Sequence, residues 1–463
     1  MLRFENVVRD PVHGDIPLTQ EELRILDTVE MQRLRNVRQL GAAYLIYPGA
    51  QHTRFEHSLG TAHLVSRLAT EINKVRDREG GAQLGGYDEH EVRLIRIAAL
   101  VHDATHLPFG HNIEDQTGLL PRHDKPDRFV RLFSDETDLG RVCRNIGVRE
   151  EVLGILAPEA VSEVHRPPPH WRGLVSGTID ADMLDYLARD AMFTGLRLQY
   201  DPRIFGMFRV ERRSQRLFVD LTRRGYLREA LLSEVVRCLE ARYYFSERVY
   251  YHHAKIAAGA LVAKAVEIAL LEGVIRFEDL QYATDAGLLH LLDQAEPADL
   301  QARRRLRTFV NALQKRRLPK RVAVYPVYCN REIQDSMIQR FFGAGSTEER
   351  RRVEERLGES VRFAVGKHVP VLLYCPVGTM QLKSARILVR WPGHKELAPL
   401  RNFAEQVPRL GDLEESYQRM WKFYVLALTD DPTALAALRE LCKQEFPQAQ
   451  NVLEEPKSIL ENI

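Results

Sequence analysis

Residues 96–111 read RIAALVHDATHLPFGH. The stretch opens as an apolar helical run, with Ile97, Ala98, Ala99, Leu100 and Val101 in series. His102 and Asp103 then arrive side by side, with His106 and His111 close behind. Pro108 and Gly110 force a turn, so His106 and His111 share a compact loop next to the His-Asp pair. An apolar helix ending in imidazole and carboxylate sets metal donors or proton carriers at the edge of a core.

Working outward, two more segments carry matching chemistry. His57 lies near the start of a helical pattern, in HTRFEHSLG, and Asp182 lies in TIDADMLDYLARD. A lone histidine beside an apolar run is ordinarily a packing residue, but this set is not lone. His57, His102, Asp103 and Asp182 are nitrogen and oxygen donors suited to Fe, Mn, Zn or Mg. Carboxylates near apolar helices are costly unless a cation pairs them. Spacing alone leaves open whether the four are adjacent. Asp182, Tyr186 and Asp190 follow at i, i+4 and i+8, so they share one helix face, while Leu184 and Leu187 turn toward packing. A face bearing a metal ligand would present Tyr186 and Asp190 along the same cleft. Histidines near neutrality donate protons or hold phosphate, which makes His106, His111 and His123 (in PRHDK) candidates for either task. Arg54, three residues before His57, has the fork that fits phosphate oxygens. A divalent ion ringed by histidine and arginine describes a phosphoester or phosphoanhydride site.

The bulk composition has a normal soluble balance. The chain has 463 residues, 44% hydrophobic, with a net charge of +2. That is enough for a large core, and it carries no overall nucleic-acid signature. Cys143, Cys238, Cys329, Cys375 and Cys442 lie far apart without a CxxC pair, so neither a disulfide framework nor a cysteine zinc site is expected. MLRFENVVRDPVHGD lacks a long apolar region, and no apolar run is long enough for a bilayer. The expectation is a cytoplasmic protein with reduced thiols and no membrane partner.

The pattern predicts a mainly α fold. Helical periodicity covers 20–40, 55–75, 174–194 and most of 226–316. GGAQLGG (80–86) reads as a loop, HRPPPH (165–170) as a break and 209–221 as a short hairpin. VPVLLYCPV (369–377) and ARILVRW (385–391) are β-like. The expected organisation is a helical catalytic core over 1–320 and a smaller α+β region over 321–463, with no linker-like stretch at the boundary.

With these residues in view, a resemblance appears. DPVHGDIPL, DTVEMQRLRNVRQLG, YPGAQHTRFEHSLG, HDATHLPFGH and DADMLDYLARD resemble the dNTP triphosphohydrolases of the HD metallohydrolase superfamily. They look closest to the branch that includes the animal SAM-and-HD-domain enzyme and its bacterial relatives. The resemblance is strong over about 5–260 and thin afterwards. Without room for a SAM domain before the first motif, it points to a stand-alone enzyme of bacterial type.

The resemblance implies a catalytic metal on His57, His102, Asp103 and Asp182, and a catalytic group of His106, His111, Glu114 and His123. Glu114 stands where the family usually has aspartate. Arg54 and Arg242 match triphosphate contacts; Gln39, Leu40, Asp190 and Tyr250 match positions that pack the deoxyribose and grip its 3′-hydroxyl. A tyrosine there would clash with a 2′-hydroxyl. The implied reaction releases deoxynucleoside and intact triphosphate from a dNTP, with Mg²⁺ accompanying the nucleotide. Two positions depart: Met183 replaces a lysine of the triphosphate cradle, and Tyr251 replaces a glutamine near the base. For a GTP or dNTP activator at a subunit interface, Asp27, Gln32 and Arg35 match guanine-reading positions, and Arg203, Arg228, Arg316 and Lys320 match phosphate contacts. Asn6 and Ala230 replace lysines of that site. A homo-oligomer, favouring a tetramer, goes with it. Other readings stay open: an HD phosphohydrolase or phosphodiesterase acting on another nucleotide or on single-stranded nucleic acid, or a nucleotide sensor without turnover.

Overall fold

The helix that begins the opening motif spans Glu89–Val101 in a computed structural model, which describes residues 3–79, 83–114, 120–198, 200–343, 345–376 and 385–453. Asp88 caps it, accepting from Glu91 N at 2.8 Å while Glu91 reaches back to Asp88 N. Every residue from Leu94 to Val101 is buried, so this is a central helix rather than a surface one. Buried Arg96 is satisfied by both oxygens of Glu22, at 2.6 and 2.9 Å. Removing one partner of such a buried pair costs roughly 3–5 kcal/mol. The Arg54–Glu79 helix packs along one side of the central helix, and the Ala181–Thr194 helix packs on Arg54–Glu79. His57 therefore sits in the first turn of one helix, His102 and Asp103 at the end of the second, and Asp182 in the first turn of the third.

The fold is mainly α, with small sheets, as expected. Several local expectations need correcting. Residues 20–40 do not form one helix. Gln20–Leu26 stops at Asp27, Val29–Arg33 restarts after Thr28, and a 3₁₀ turn covers Leu34–Asn36. The Thr28 hydroxyl donates to Ile25 O at 2.7 Å, which competes with helical continuation. The 174–194 pattern likewise splits. Pro169–Val175 is a short helix, and Asp180 then caps Ala181–Thr194 by accepting from Met183 N at 2.7 Å. In the 80–86 loop, Leu84–Gly85 pairs as a strand, while residues 80–82 lie outside the described residues.

The hairpin at 209–221 is present as Phe208–Glu211 against Arg216–Asp220. The C-terminal strand Leu388–Arg390 joins it in parallel. Val371–Tyr374 pairs elsewhere, in a sheet whose central strand is Lys422–Ala427 and whose other edge is Lys320–Pro326. Val377 of the β-like run 369–377 lies outside the described residues. An N-terminal hairpin, Phe4–Asp10 with Gly14–Thr19, carries DPVHGD at its turn. Position 320 falls at the start of a strand, and one apolar core continues from Ile16 to Phe446. Buried Lys264 meets Glu354 at 2.9 Å across the same position. Among the described residues, no helix is long and apolar enough to cross a membrane.

Candidate active site

His57 and His102 are built alike. His57 Nδ1 lies 2.7 Å from Asp185 Oδ2, and His102 Nδ1 lies 2.7 Å from the Ala99 carbonyl. Each ring thus donates backwards from Nδ1 and turns Nε2 toward the other donors, the arrangement that fixes a metal-binding tautomer. Both Nε2 atoms are buried without a hydrogen-bond partner. His57 Nε2 is 2.9 Å from Asp182 Oδ1 and 3.8 Å from Asp103 Oδ2. His102 Nε2 is 3.5 Å from Asp103 Oδ1 and 3.7 Å from Asp182 Oδ1. The 2.9 Å approach has an ion-pair distance without hydrogen-bond geometry, as when two ligands face a shared point rather than each other. Orphaned buried nitrogens facing two carboxylates fit a divalent cation, and the four expected ligands converge. Burial opposes charge on His57, but Asp182, Asp185 and Asp103 overcome it and would raise a metal-free imidazole to about 10.

Behind this quartet lies a layer that sequence reasoning missed. Asp185 is fully buried and accepts from Arg189 Nε and NH2, both at 2.9 Å. It also meets His13 Nε2 at 2.6 Å. Burial resists its ionisation, yet Arg189, His13 and His57 hold its carboxyl well below the usual range. Arg189 reaches on to Asp10 at 2.8 Å. The N-terminal DPVHGD motif therefore holds the metal centre from behind. Gly60 completes the fit, because any side chain there would collide with Asp185 and Arg189. The signal was available: Asp185 is one turn after Asp182, and Asp10 and His13 lie in a quoted motif.

The second group gathers around Glu114. This carboxylate is buried, with Oε1 3.1 Å from His106 Nδ1 and Oε2 2.7 Å from His123 Nδ1. The two imidazoles stack at 3.5 Å, and His111 stands edge-on to both. Burial opposes a charge on Glu114, but His106 and His123 hold it well below the usual range. Burial and His106 push His123 down to about 4 against the pull of Glu114. His106 Nε2 also comes within 3.4 Å of Asp103 Oδ1, linking the two groups. The loop between them is clamped by buried cations: Arg33 donates to Ala104 O and His106 O, at 3.1 and 2.7 Å, and Arg128 donates to Thr105 O.

A cavity of about 470 Å³ opens over both groups, within the roughly 300–1,000 Å³ typical of small-molecule sites. His102, Asp103, Asp182, His106, His111 and His123 line it, while Glu114 stands behind its histidines. The expected substrate residues Gln39, Leu40, Arg54, Tyr186, Asp190, Arg242 and Tyr250 line it too. The predicted Asp182–Tyr186–Asp190 face is thus a cavity wall. Arg54 is paired with Asp103 at 2.6 Å. Asp190 takes the Tyr250 hydroxyl at 2.6 Å and His52 Nε2 at 2.9 Å. Burial and Asp190 push the Tyr250 phenol well above its ordinary range, so it stays a donor. Gln39 Oε1 is buried without a partner. Met183 is packed in the core, off the cavity wall. Arg122, Arg172, Lys255 and Tyr417 also line the cavity, and sequence reasoning did not find them.

The residues matched to an activator site occupy separate local settings. Gln32 accepts from Arg35 Nε at 2.9 Å, and Arg35 lies over the Phe55 ring; Asp27 is exposed nearby in sequence. Arg203 pairs with Asp201 at 2.7 Å, and Arg228 donates to Asp220 O at 3.2 Å. Arg316 donates to Leu45 O at 2.6 Å, and Lys320 meets Asp430 at 3.0 Å.

Comparison with known proteins agrees with this geometry. Residues 54–190 match the HD domain, and residues 227–439 match the HD associated region. The chain is 30% identical over 296 residues to the uncharacterized protein MJ1154 of Methanocaldococcus jannaschii, covering 63% of this chain and 55% of that one. It is 30% identical over 229 residues to deoxynucleoside triphosphate triphosphohydrolase SAMHD1 of Homo sapiens, covering 44% and 35%. The chain thus spans about half, or less, of the length of these curated relatives. A solved structure of a hypothetical protein from Aquifex aeolicus superposes with a TM-score of 0.64 at 22% identity, covering 94% of this chain and 99% of that one, which shows a shared fold. Both matched regions supply residues of the cavity wall, and the chain is an HD-domain protein that carries the HD associated region.

Proposed function

We propose that the protein hydrolyses dNTPs to deoxynucleoside and inorganic triphosphate. One observation carries the reading: His102, Asp103 and Asp182, with Arg54, Arg242 and the Asp190–Tyr250 pair, open into one cavity. The 30% identity to SAMHD1 proteins, whose name describes this activity, supports it. A divalent ion on His57, His102, Asp103 and Asp182 would supply Lewis-acid polarisation of an α-phosphate oxygen.

The remaining chemistry falls to the chain itself. Arg242 offers a half-buried guanidinium to the polyphosphate, and Arg54 holds Asp103 in place. On this reading the Asp190 carboxylate, which takes the Tyr250 hydroxyl, would accept a sugar hydroxyl, and the Tyr250 ring would exclude a 2′-hydroxyl. Gln39 Oε1 offers an acceptor to the nucleoside. Overall, water adds hydroxide to the α-phosphorus, the bond from phosphorus to O5′ breaks, and O5′ gains a proton. An imidazole backed by Glu114 is placed to deliver that proton.

The test is hydrolysis of each dNTP and rNTP, singly and as an equimolar mixture, with Mg²⁺ or Mn²⁺ and full product separation. Deoxynucleoside plus triphosphate from dNTPs alone is the expected result, and turnover confined to the mixture would add nucleotide activation. Orthophosphate or a nucleoside monophosphate as the primary product would overturn the reading.

A further inference from the structure

Two stretches of the cavity lining touch at Gly41. Gln39, Leu40 and Gly41 belong to one, and His106, Phe109, His111 and Asn112 to the other. A side chain at Gly41 would collide with the Phe109 carbonyl oxygen and with Asn112 Oδ1, which accepts from Ala42 N at 3.1 Å. The second stretch is bent at its centre. Phe109 has φ +59° and Gly110 φ +47°. The left-handed region is costly for a bulky residue such as Phe109, and it persists only where the surroundings impose it.

Asp285 imposes it from a third segment. It is the first residue of the Asp285–Gln294 helix and is 1% exposed. Its Oδ1 accepts from Phe109 N at 2.8 Å. Its Oδ2 accepts from Arg38 N at 3.0 Å and from Arg38 NH1 at 3.3 Å. One carboxylate therefore grips both stretches by their backbones, across 176 and 247 positions. Its own helix is capped without it, because the Thr284 hydroxyl accepts from Gly287 N at 3.1 Å. Burial pushes the Asp285 carboxyl above its ordinary range, against the pull of the Arg38 and Phe109 N–H groups. Two residues earlier, Ala283 O accepts from Arg33 NH1 at 3.0 Å, and the same guanidinium holds Ala104 O and His106 O. The start of this helix thus acts on the histidine loop twice, always through main-chain atoms.

We infer that Asp285 is a positioning residue that holds the 106–111 loop in register with the 38–41 stretch. His106 and His111 then keep a fixed place relative to Gln39. The clamp itself needs no assumption about substrate, but the roles of the residues it aligns rest on the dNTP reading above. Through Asp285, the HD associated region sets the geometry of a loop that belongs to the HD domain.

The test compares Asp285→Asn and Asp285→Ala with Thr284→Ala, which removes the cap of the same helix and leaves the carboxylate in place. Amide hydrogen exchange, metal content, kcat and KM for dNTPs are measured on the full chain. An amide has one acceptor oxygen where the carboxylate has two, so Asn cannot hold both stretches. In Asp285→Asn, exchange in peptides covering 38–42 and 106–112 should quicken about tenfold or more. The kcat should fall about 10²-fold, the size expected for a misplacement of roughly 1 Å, with metal content kept and KM changed less. Asp285→Ala should go further in the same direction, and if it fails to fold, Asp285→Asn decides alone. Thr284→Ala should quicken exchange within 285–294 and leave the other two peptides and kcat unchanged.

Unchanged exchange in both peptides overturns the clamp. So does an equal effect from Thr284→Ala, which would make Asp285 a contributor to helix stability only. Quickened exchange with an unchanged kcat overturns the positioning role as well. If the unaltered protein hydrolyses no dNTP while exchange in the two peptides depends on Asp285, the clamp stands and the dNTP reading falls. If dNTPs are hydrolysed and neither exchange nor kcat responds to Asp285, only the present inference falls.

Discussion

His57 and His102 turn Nδ1 backwards onto Asp185 and the Ala99 carbonyl, and face Asp103 and Asp182 with Nε2. His106 and His123 also turn Nδ1 backwards, onto the two oxygens of Glu114. The difference lies in front of the rings. The first pair meets two carboxylates there, and a divalent cation satisfies both nitrogens and oxygens. The second pair stacks ring on ring at 3.5 Å and, among the described residues, meets acid in front only where His106 approaches Asp103. Two stacked imidazolium charges would repel, and His123 is accordingly held down to about 4 by burial and His106. On the proposed reading, the same residue type serves as ligand or proton carrier according to the side of the ring on which the acid lies.

The largest predicted effect tests the first half of that contrast. Asp182→Ala removes the carboxylate nearest His57 Nε2 but leaves the Asp180 cap of its helix intact. Elemental analysis of the purified variant should show the divalent ion lost, with hydrolysis falling below detection and the thermal transition kept. Full metal content with full activity would move the ion away from this quartet. Glu114→Gln tests the second half. It preserves shape but removes the charge behind His106 and His123. Turnover should fall by about 10²–10⁴-fold, the range for losing acid–base assistance. Metal content should stay at the level of the unaltered protein. Loss of metal along with activity would merge the two histidine groups into one functional unit and break the contrast.

What the sequence makes legible here is local. A helix puts i, i+4 and i+8 on one face, so Asp182, Tyr186 and Asp190 are readable as one wall. The His-Asp pair at the end of an apolar helix is readable for the same reason. The layer behind the ligands depends on chain closure. His13 and Asp185 meet across 172 positions, and no periodicity predicts that meeting. Tyr417 belongs to the 321–463 region, where the sequence shows no chemistry, yet it lines the catalytic cavity. The helix expected over 20–40 breaks where the Thr28 hydroxyl donates to the Ile25 carbonyl, a choice that residue patterning does not register. Arg172 reads as an ordinary residue after a proline run until the fold places it on the cavity wall.

A smaller effect decides whether the acid behind a ligand matters as much as the acid in front. Asp185 holds His57 Nδ1 at 2.7 Å while it is gripped by Arg189 and His13. Asp185→Asn keeps the volume that Gly60 makes available, but its amide has one acceptor oxygen where the carboxylate has two. Arg189 retains Asp10 at 2.8 Å, so part of the buried charge stays paired and the fold should survive with a lowered melting temperature. His57 would lose the fixed tautomer that keeps Nε2 directed at the ion. Metal affinity should fall about 10–100-fold, the usual cost of losing such a support, and saturating ion should restore turnover. This recovery separates Asp185 from Glu114, where added metal should restore nothing. If Asp185→Asn binds metal as tightly as the unaltered protein, the backward bond of His57 is packing alone. The metal pair would then be defined only by the carboxylates in front of it, and the catalytic pair by the one behind.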